Sequence, residues 1–224
     1  MKIAVISDIH SNLPALKAVQ KAVQTHNPDK VICLGDVIGY NPWPSECVEI
    51  VRDWCDVTLQ GNHDRDVANP SVYKQNNMAY EGLLWAEEEL SDEQYTWVQN
   101  LPEKMQLECG NDTTYKIVHS HPTETDKYVR PRDFARMRPL LTDGEKGCWL
   151  GHTHIQHKAM VDERLILNPG SVGQPRDKDN RAAFAIVDTD ENDVELCRTK
   201  YNIDKVINRV TEVGLPKKTG TRLL

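Results

Sequence analysis

No CxxC pair, no block of five or more like charges and no apolar run long enough to cross a bilayer occurs in the 224 residues. Six cysteines stand at positions 33, 47, 55, 109, 148 and 197, with Cys33 and Cys148 inside apolar runs. Such placement suits small buried thiols in a reducing compartment better than a disulfide framework. Lys and Arg total 27 against 34 Asp and Glu, a formal net charge of -7, so the chain offers no generic attraction to long nucleic acid or an anionic membrane. Any phosphate site must be local. The opening "KIAVIS" is too short for a secretory apolar region, and the cytoplasm is the expected location. Repeats, low-complexity tracts and flexible linkers are also missing, so residues 1–224 are read as a single domain with a buried core.

What is present is an alternation of short apolar runs and amphipathic stretches. "KIAVIS" (2–7), "KVICL" (30–34) and "DVTLQ" (56–60) predict buried strands. Between them, Leu13, Leu16, Val19 and Val23 recur at helical spacing behind Asn12, an N-cap, and "PSECVEIVRDW" (44–54) predicts a second helix. A helical insert is expected around 75–100, its second helix opened by Ser91, with Trp85, Tyr95 and Trp97 as packing residues. Beyond Pro102 short strand candidates follow one another between turns such as "GND" and "DEND". "RDFARMRPLL" reads as a helix broken by Pro139, and "NIDKVINRVTEV" as a closing helix. The sum is an α/β chain with two sheets' worth of strands.

The residues that follow those strands are chemically biased. Asp8 and His10 come after the first, Asp36 after the second, and Asn62, His63 and Asp64 after the third. His119 ends "TYKIVH", and His152 and His154 follow "CWLG". Ligands of open α/β sheets bind beyond the carboxyl ends of strands, so these positions can converge. Taken singly, each fragment reads as an ordinary turn or a hydrogen-bonded histidine; five of them in order are hard to attribute to chance. Mixed carboxylate and imidazole donors suit Mn²⁺, Fe or Zn²⁺ better than an all-oxygen set would.

The ordered set "DIH", "GD", "GNHD", a lone strand-end His and "GHTH" resembles the calcineurin-like metallophosphoesterases over nearly the whole chain. The length, "GDVIGYNP" and "NPGSVGQPRD" resemble the small bacterial and archaeal phosphodiesterase branch, which includes hydrolases of diadenosine polyphosphates. The resemblance implies an α/β fold built as a four-layer α/β/β/α sandwich with two divalent cations. Asp8, His10 and His154 would hold one, Asp36 would bridge, and Asn62, His119 and His152 would hold the other. Mn²⁺ is the first choice, with Fe, Ni²⁺, Zn²⁺ and Mg²⁺ open. Two such ions can share a water, lower its pKa and present it in line with phosphorus.

In the family the histidine of "GNHD", here His63, protonates or stabilises the leaving group, while Asp64 orients the loop. Arg176 is placed to meet a phosphate, against the alternative of a salt bridge to a nearby aspartate, and Tyr128 with Arg130 to line the entrance. His121 departs from the usual small residue two places after His119; substrate contact, metal competition and an exposed loop position all stay open for it. The expected activity is hydrolysis of a phosphodiester or phosphoanhydride in a small nucleotide. A serine/threonine protein phosphatase and a non-catalytic scaffold, such as retromer's phosphoesterase-like subunit, are the alternatives. The scaffold lacks the catalytic histidine that His63 supplies here. A homo-oligomer is left open.

Overall fold

Alternate side chains of β1 (Lys2–Ile6) serve two different cores. Ile3 and Val5 belong to the cluster between two sheets, whereas Ala4 and Ile6 belong to the cluster beneath the helices, as the two-residue period of a strand requires. The computed structural model describes residues 1–110 and 113–224, so the turn expected at "GND" lies largely outside the described residues.

The first sheet contains β1, β2 (Lys30–Cys33), β3 (Val57–Thr58), β9 (Ala182–Asp188) and β10 (Asp193–Thr199), in the order β10-β9-β1-β2-β3. The second contains β4 (Lys104–Glu108), β5 (Thr114–Val118), β6 (Glu145–Trp149), β7 (His157–Val161) and β8 (Arg164–Asn168), in the order β4-β5-β6-β8-β7. Strands β1, β2 and β3 run parallel, as do β5, β6 and β8. Parallel runs align their carboxyl ends, and that alignment positions the site. Ile32, Leu34, Tyr115, Ile117, Trp149 and Leu167 fill the space between the sheets, each fully buried aliphatic side chain contributing about 1.5–3 kcal/mol.

Helices α1 (Leu13–Gln24), α2 (Pro44–Trp54), α4 (Asn77–Glu89), α5 (Asp92–Gln99) and α6 (Ile203–Glu212) cover the first sheet through Leu16, Val48, Leu83, Val98 and Val206. Asn12 caps α1 by accepting from Ala15 N at 3.2 Å, and Ser91 and Gln94 close a reciprocal capping box on α5. Trp85, Tyr95 and Trp97 pack against this core. Two short helices, α3 (Asn62–Asp66) and α7 (Lys217–Thr221), have no counterpart in the sequence reading.

The outer face of the second sheet is covered differently. Where the sequence predicts a helix broken by Pro139, Pro131–Leu140 winds as a 3₁₀ segment. Phe134 and Met137 are buried three apart, with Leu140 against the same cluster, and a three-residue turn puts such positions on one face. The layers are therefore helices, sheet, sheet and a 3₁₀ cover. No helix among the described residues is long and apolar enough to cross a membrane.

Candidate metal centre

The two sets of carboxyl strand ends are stitched to each other through backbone bonds. Asp8 N donates to Gly35 O and His10 N to Asp36 O, both at 2.9 Å, which joins the loops after β1 and β2. Gly151 N donates to His119 O at 2.8 Å, which joins the loops after β6 and β5, and Gly173 N donates to Asp8 O at 3.0 Å, which joins the second sheet to the first. Helix α3 is tied in by its own side chain. Asp64 accepts from Gly61 N (2.9 Å), Val37 N (2.9 Å) and Ile38 N (3.2 Å), while His63 N donates to Asp36 Oδ1 at 2.8 Å. At Gly61 a Cβ would lie 2.1 Å from Asp36 Oδ1, so no larger residue fits this approach.

Backbone strain is concentrated at the same place. Asp8 (φ 55°), His10 (49°), Asp36 (55°), His152 (64°) and His154 (59°) all adopt left-handed conformations, each costing roughly 1–2 kcal/mol for a residue with a Cβ. Strain of this kind persists where the surroundings enforce it, and it clusters at functional sites.

The structure gathers all seven residues expected to hold metal into one buried cluster. Asp8, His10, Asp36 and His154 offer donor atoms within 4.8 Å of one another, as do Asp36, His119 and His152. Asp36 Oδ2 lies 3.5 Å from His10 Nε2 and 3.4 Å from His119 Nε2, so one carboxylate faces both groups. Asn62 Oδ1 is 2.8 Å from His152 Nδ1 and 3.2 Å from His119 Nε2. Asn62 Nδ2 donates to Tyr73 Oη at 2.5 Å, which fixes the amide with its oxygen inward.

Whether a cation fits is decided by where the protons are. His10 Nδ1 meets Ile38 O (3.2 Å), His119 Nδ1 meets Leu34 O (2.8 Å) and His154 Nδ1 meets Gln174 O (2.6 Å). His152 instead uses Nε2, 3.0 Å from Asp126 O. A carbonyl only accepts, so each of these nitrogens carries the proton and the other nitrogen of the neutral ring presents a lone pair. Four imidazole lone pairs thus face the oxygens of Asp8, Asp36 and Asn62. Such an arrangement is repulsive unless positive charge lies between them, and carbonyl-oriented imidazoles are the usual support of metal-binding histidine.

Proton affinities point the same way. Burial, helped by repulsion from His119, pushes His152 down to about 4, and burial holds His10 and His154 well below the ordinary imidazole value. Burial also opposes charge on His119, but Asp36 and Asp8 overcome it and raise that group to about 10. Burial lifts Asp8 to about 7 against the pull of His119. The metal-free cluster thus takes up a proton where a cation would sit.

His63 lies beside this cluster, buried, with Tyr73 stacked at 4.9 Å and Tyr40 at 4.7 Å between ring centroids. Its Nδ1 has no hydrogen-bond partner. Burial, with Arg176 and His119 nearby, lowers its proton affinity, against the attraction of Asp36. A cleft of about 290 Å³ opens over His63, Asp36, Asn62, His152 and His154. Tyr128 and Arg176 line it as well. Tyr128 lies over His152 at 4.4 Å, and Arg130 stacks on the Tyr128 ring at 5.3 Å.

His121 is placed elsewhere. Its Nδ1 accepts from Thr123 N and Glu124 N at 3.3 and 3.2 Å, closing its own turn, and it lines a second cavity of about 110 Å³ that Asn62 and His119 also border. Tyr40, Tyr73 and Arg222 line the cleft without having been singled out in the sequence. Tyr40 lies within the quoted "GDVIGYNP" and could have been found there; Tyr73 and Arg222 carry no local signal.

A family model described as the calcineurin-like phosphoesterase superfamily domain matches residues 1–192. The chain belongs to this superfamily. It is 33% identical to an uncharacterised protein of Methanocaldococcus jannaschii, across 99% of this chain and 96% of that one. The crystal structure of a metallophosphoesterase from Sphaerobacter thermophilus superposes with a TM-score of 0.82 at 33% identity, covering 100% of this chain and 98% of that one. A hypothetical protein from Pyrococcus horikoshii shares the fold, with a TM-score of 0.88 at 21% identity over 99% and 97% of the two chains. Membership in the superfamily makes the chain a hydrolase that acts on phosphoesters with the help of divalent metal.

Proposed function

We propose that this calcineurin-like phosphoesterase uses two divalent cations to hydrolyse phosphodiester or phosphoanhydride bonds in small nucleotides. The observation that carries the reading is Asp36, whose Oδ2 faces His10 on one side and His119 on the other. A shared carboxylate between two donor groups suits a pair of ions. Asp8, His10 and His154 would hold the first, Asn62, His119 and His152 the second, and Asp36 would serve both. Mixed nitrogen and oxygen donors favour Mn²⁺, with Fe, Ni²⁺, Zn²⁺ and Mg²⁺ as competitors.

When bound, the cations supply a water of lowered pKa and neutralise charge on the phosphoryl oxygens. The chain itself does the rest. Tyr40 and Tyr73 hold the His63 ring in one plane. With Nδ1 buried against Gly39, Nε2 is the nitrogen left to protonate the leaving oxygen. Arg176 reaches a phosphoryl oxygen, and Tyr128 flanks the leaving group. His121, engaged in its own turn, has no part in this arrangement.

The cleft lies near the lower end of small-ligand pockets, about 300–1,000 Å³, which favours a small substrate over a phosphoprotein loop or a polymer. We place the working protein in the cytoplasm, a reading supported by six free cysteines, and treat the chain as one unit with α4 and α5 as its insert.

The test is hydrolysis by metal-stripped protein to which Mn²⁺, Mg²⁺, Fe²⁺, Ni²⁺ or Zn²⁺ is restored. Bis-p-nitrophenyl phosphate, p-nitrophenyl phosphate, cyclic nucleotides, dinucleoside polyphosphates and a phosphopeptide form the panel. Mn²⁺-dependent turnover of a diester or anhydride is expected. Preference for the phosphopeptide would replace this reading by the phosphatase one, and no turnover at all by the scaffold.

A further inference from the structure

Arg176 is flanked by acidic neighbours, yet none of them pairs with it. Asp177 is engaged by Arg198, and Asp179 by Arg181 at 2.6 Å. Arg176 Nη2 donates instead to Gln174 Oε1 at 2.9 Å and lies 3.4 Å from Tyr40 Oη, and its Nε is buried without a partner. A second guanidinium shares the cleft. Arg222, at the C-cap of α7, lines the same walls as Arg176, Tyr40, His154 and Asp36.

Among the described residues neither arginine forms an ion pair with a carboxylate, although carboxylates outnumber basic residues in the chain. Most other arginines that meet a carboxylate do so on the surface, as Arg52 does with Glu93 and Arg209 with Glu212. Two like charges facing one cleft, neither within ion-pair distance of a carboxylate, repel each other, and an anion between them removes that repulsion. Guanidinium also matches phosphate oxygens two at a time.

We propose that Arg222 and Arg176 form a second anion subsite, which selects substrates carrying two linked phosphoryl groups over diesters carrying one. The subsite rests on the phosphoesterase reading: one phosphoryl group meets the cations, and the next in the anhydride meets the arginines. Arg222 lies beyond residue 192, where the match to the family model ends, so this selectivity belongs to the C-terminal segment of the chain.

Two measurements test it. In the first, Mn²⁺-restored wild type, Arg222→Ala and Arg222→Lys are compared on diadenosine tetraphosphate and on bis-p-nitrophenyl phosphate. The ratio of kcat/KM, anhydride over diester, should fall on the order of ten- to a hundredfold in Arg222→Ala, the worth of a charge-assisted hydrogen bond, and less in Arg222→Lys. A ratio within about twofold of wild type overturns the proposal. In the second, Mn²⁺-restored protein is titrated calorimetrically with methylenediphosphonate, a non-hydrolysable pair of linked phosphoryl groups, and with orthophosphate. Wild type should prefer the diphosphonate by about tenfold or more and Arg222→Ala should lose that preference; equal affinities for the two anions in wild type overturn the proposal. Should the restored wild type hydrolyse no ester at all, the phosphoesterase reading fails by itself, and the titration alone decides the subsite.

Discussion

The Nε2 atoms of His10 and His154 lie 3.0 Å apart, and each ring has spent its proton on a backbone carbonyl at Nδ1. Two lone pairs at that distance need a cation between them. Removing either ring should therefore cost one ion and leave the other. Protein loaded with Mn²⁺ and freed of excess should carry about two ions per chain by elemental analysis, and His154→Ala or His119→Ala about one. Asp36→Asn should approach none, because it weakens both positions at once. Retention of both ions in Asp36→Asn would refute the shared-carboxylate geometry.

Cation binding should also be steeply pH-dependent. Asp36 and Asp8 overcome burial to raise His119 to about 10, so at pH 7–9 the metal-free ring is protonated, and the proton must leave before Nε2 can act as a donor. Affinity is thus lowest in acid, rises with pH through neutrality and levels off above about 10. For the ion that His119 holds, the slope should be near one decade per pH unit, with about one proton released as that ion binds. Calorimetry at pH 8 in two buffers of different ionisation enthalpy reads the proton directly. Identical heats in both would remove His119 as a donor.

The elements that were legible in the sequence are those with local chemistry at their ends. Asn12, Pro44 and Ser91 open helices where the sequence expects them, because capping and proline preferences act over a few residues. The five-residue α3 is too short to show a period, so "GNHD" reads as a turn although it is helical. The segment 131–140 misleads in the other direction: Phe134 and Met137 at a spacing of three satisfy a helix and a 3₁₀ turn alike. At the site, the order of motifs was visible because each donor follows a strand. The left-handed backbone at Asp8, His10 and Asp36 was not, since none is a glycine. Arg222 stayed hidden because its place is set by the packing of α7 near the chain's end.

Asp64 ties this loop cluster together. Its carboxylate accepts three backbone N–H groups, from Val37, Ile38 and Gly61. Asp64→Ala leaves them buried without partners, at about 1–3 kcal/mol each, so the loss should reach at least about 3 kcal/mol. For a chain of this size the melting temperature should fall by roughly 6–12 °C. Asp64→Asn keeps one acceptor oxygen and should lose about half as much. A melting temperature unchanged in Asp64→Ala would show that the loops are held by other means.

His63 has a structural partner that offers an independent check on its role. Gly39 sits at φ +92°, and a Cβ there would lie 2.4 Å from His63 Nδ1. Gly39→Ala must therefore displace the imidazole, and metal content retained in that variant would show that the donors of the cluster stay in place. His63→Ala should lower kcat by about 10²–10⁴ with metal content retained, the range for loss of a general acid. Gly39→Ala should act in the same direction to a smaller extent, with a backbone cost of roughly 1 kcal/mol in stability. The combined variant should be no slower than His63→Ala, since the ring that Gly39 accommodates is already gone. If the two losses instead multiply, Gly39 acts on turnover by another route; if metal and activity fall together in His63→Ala, the histidine belongs to the metal cluster and not to the leaving group.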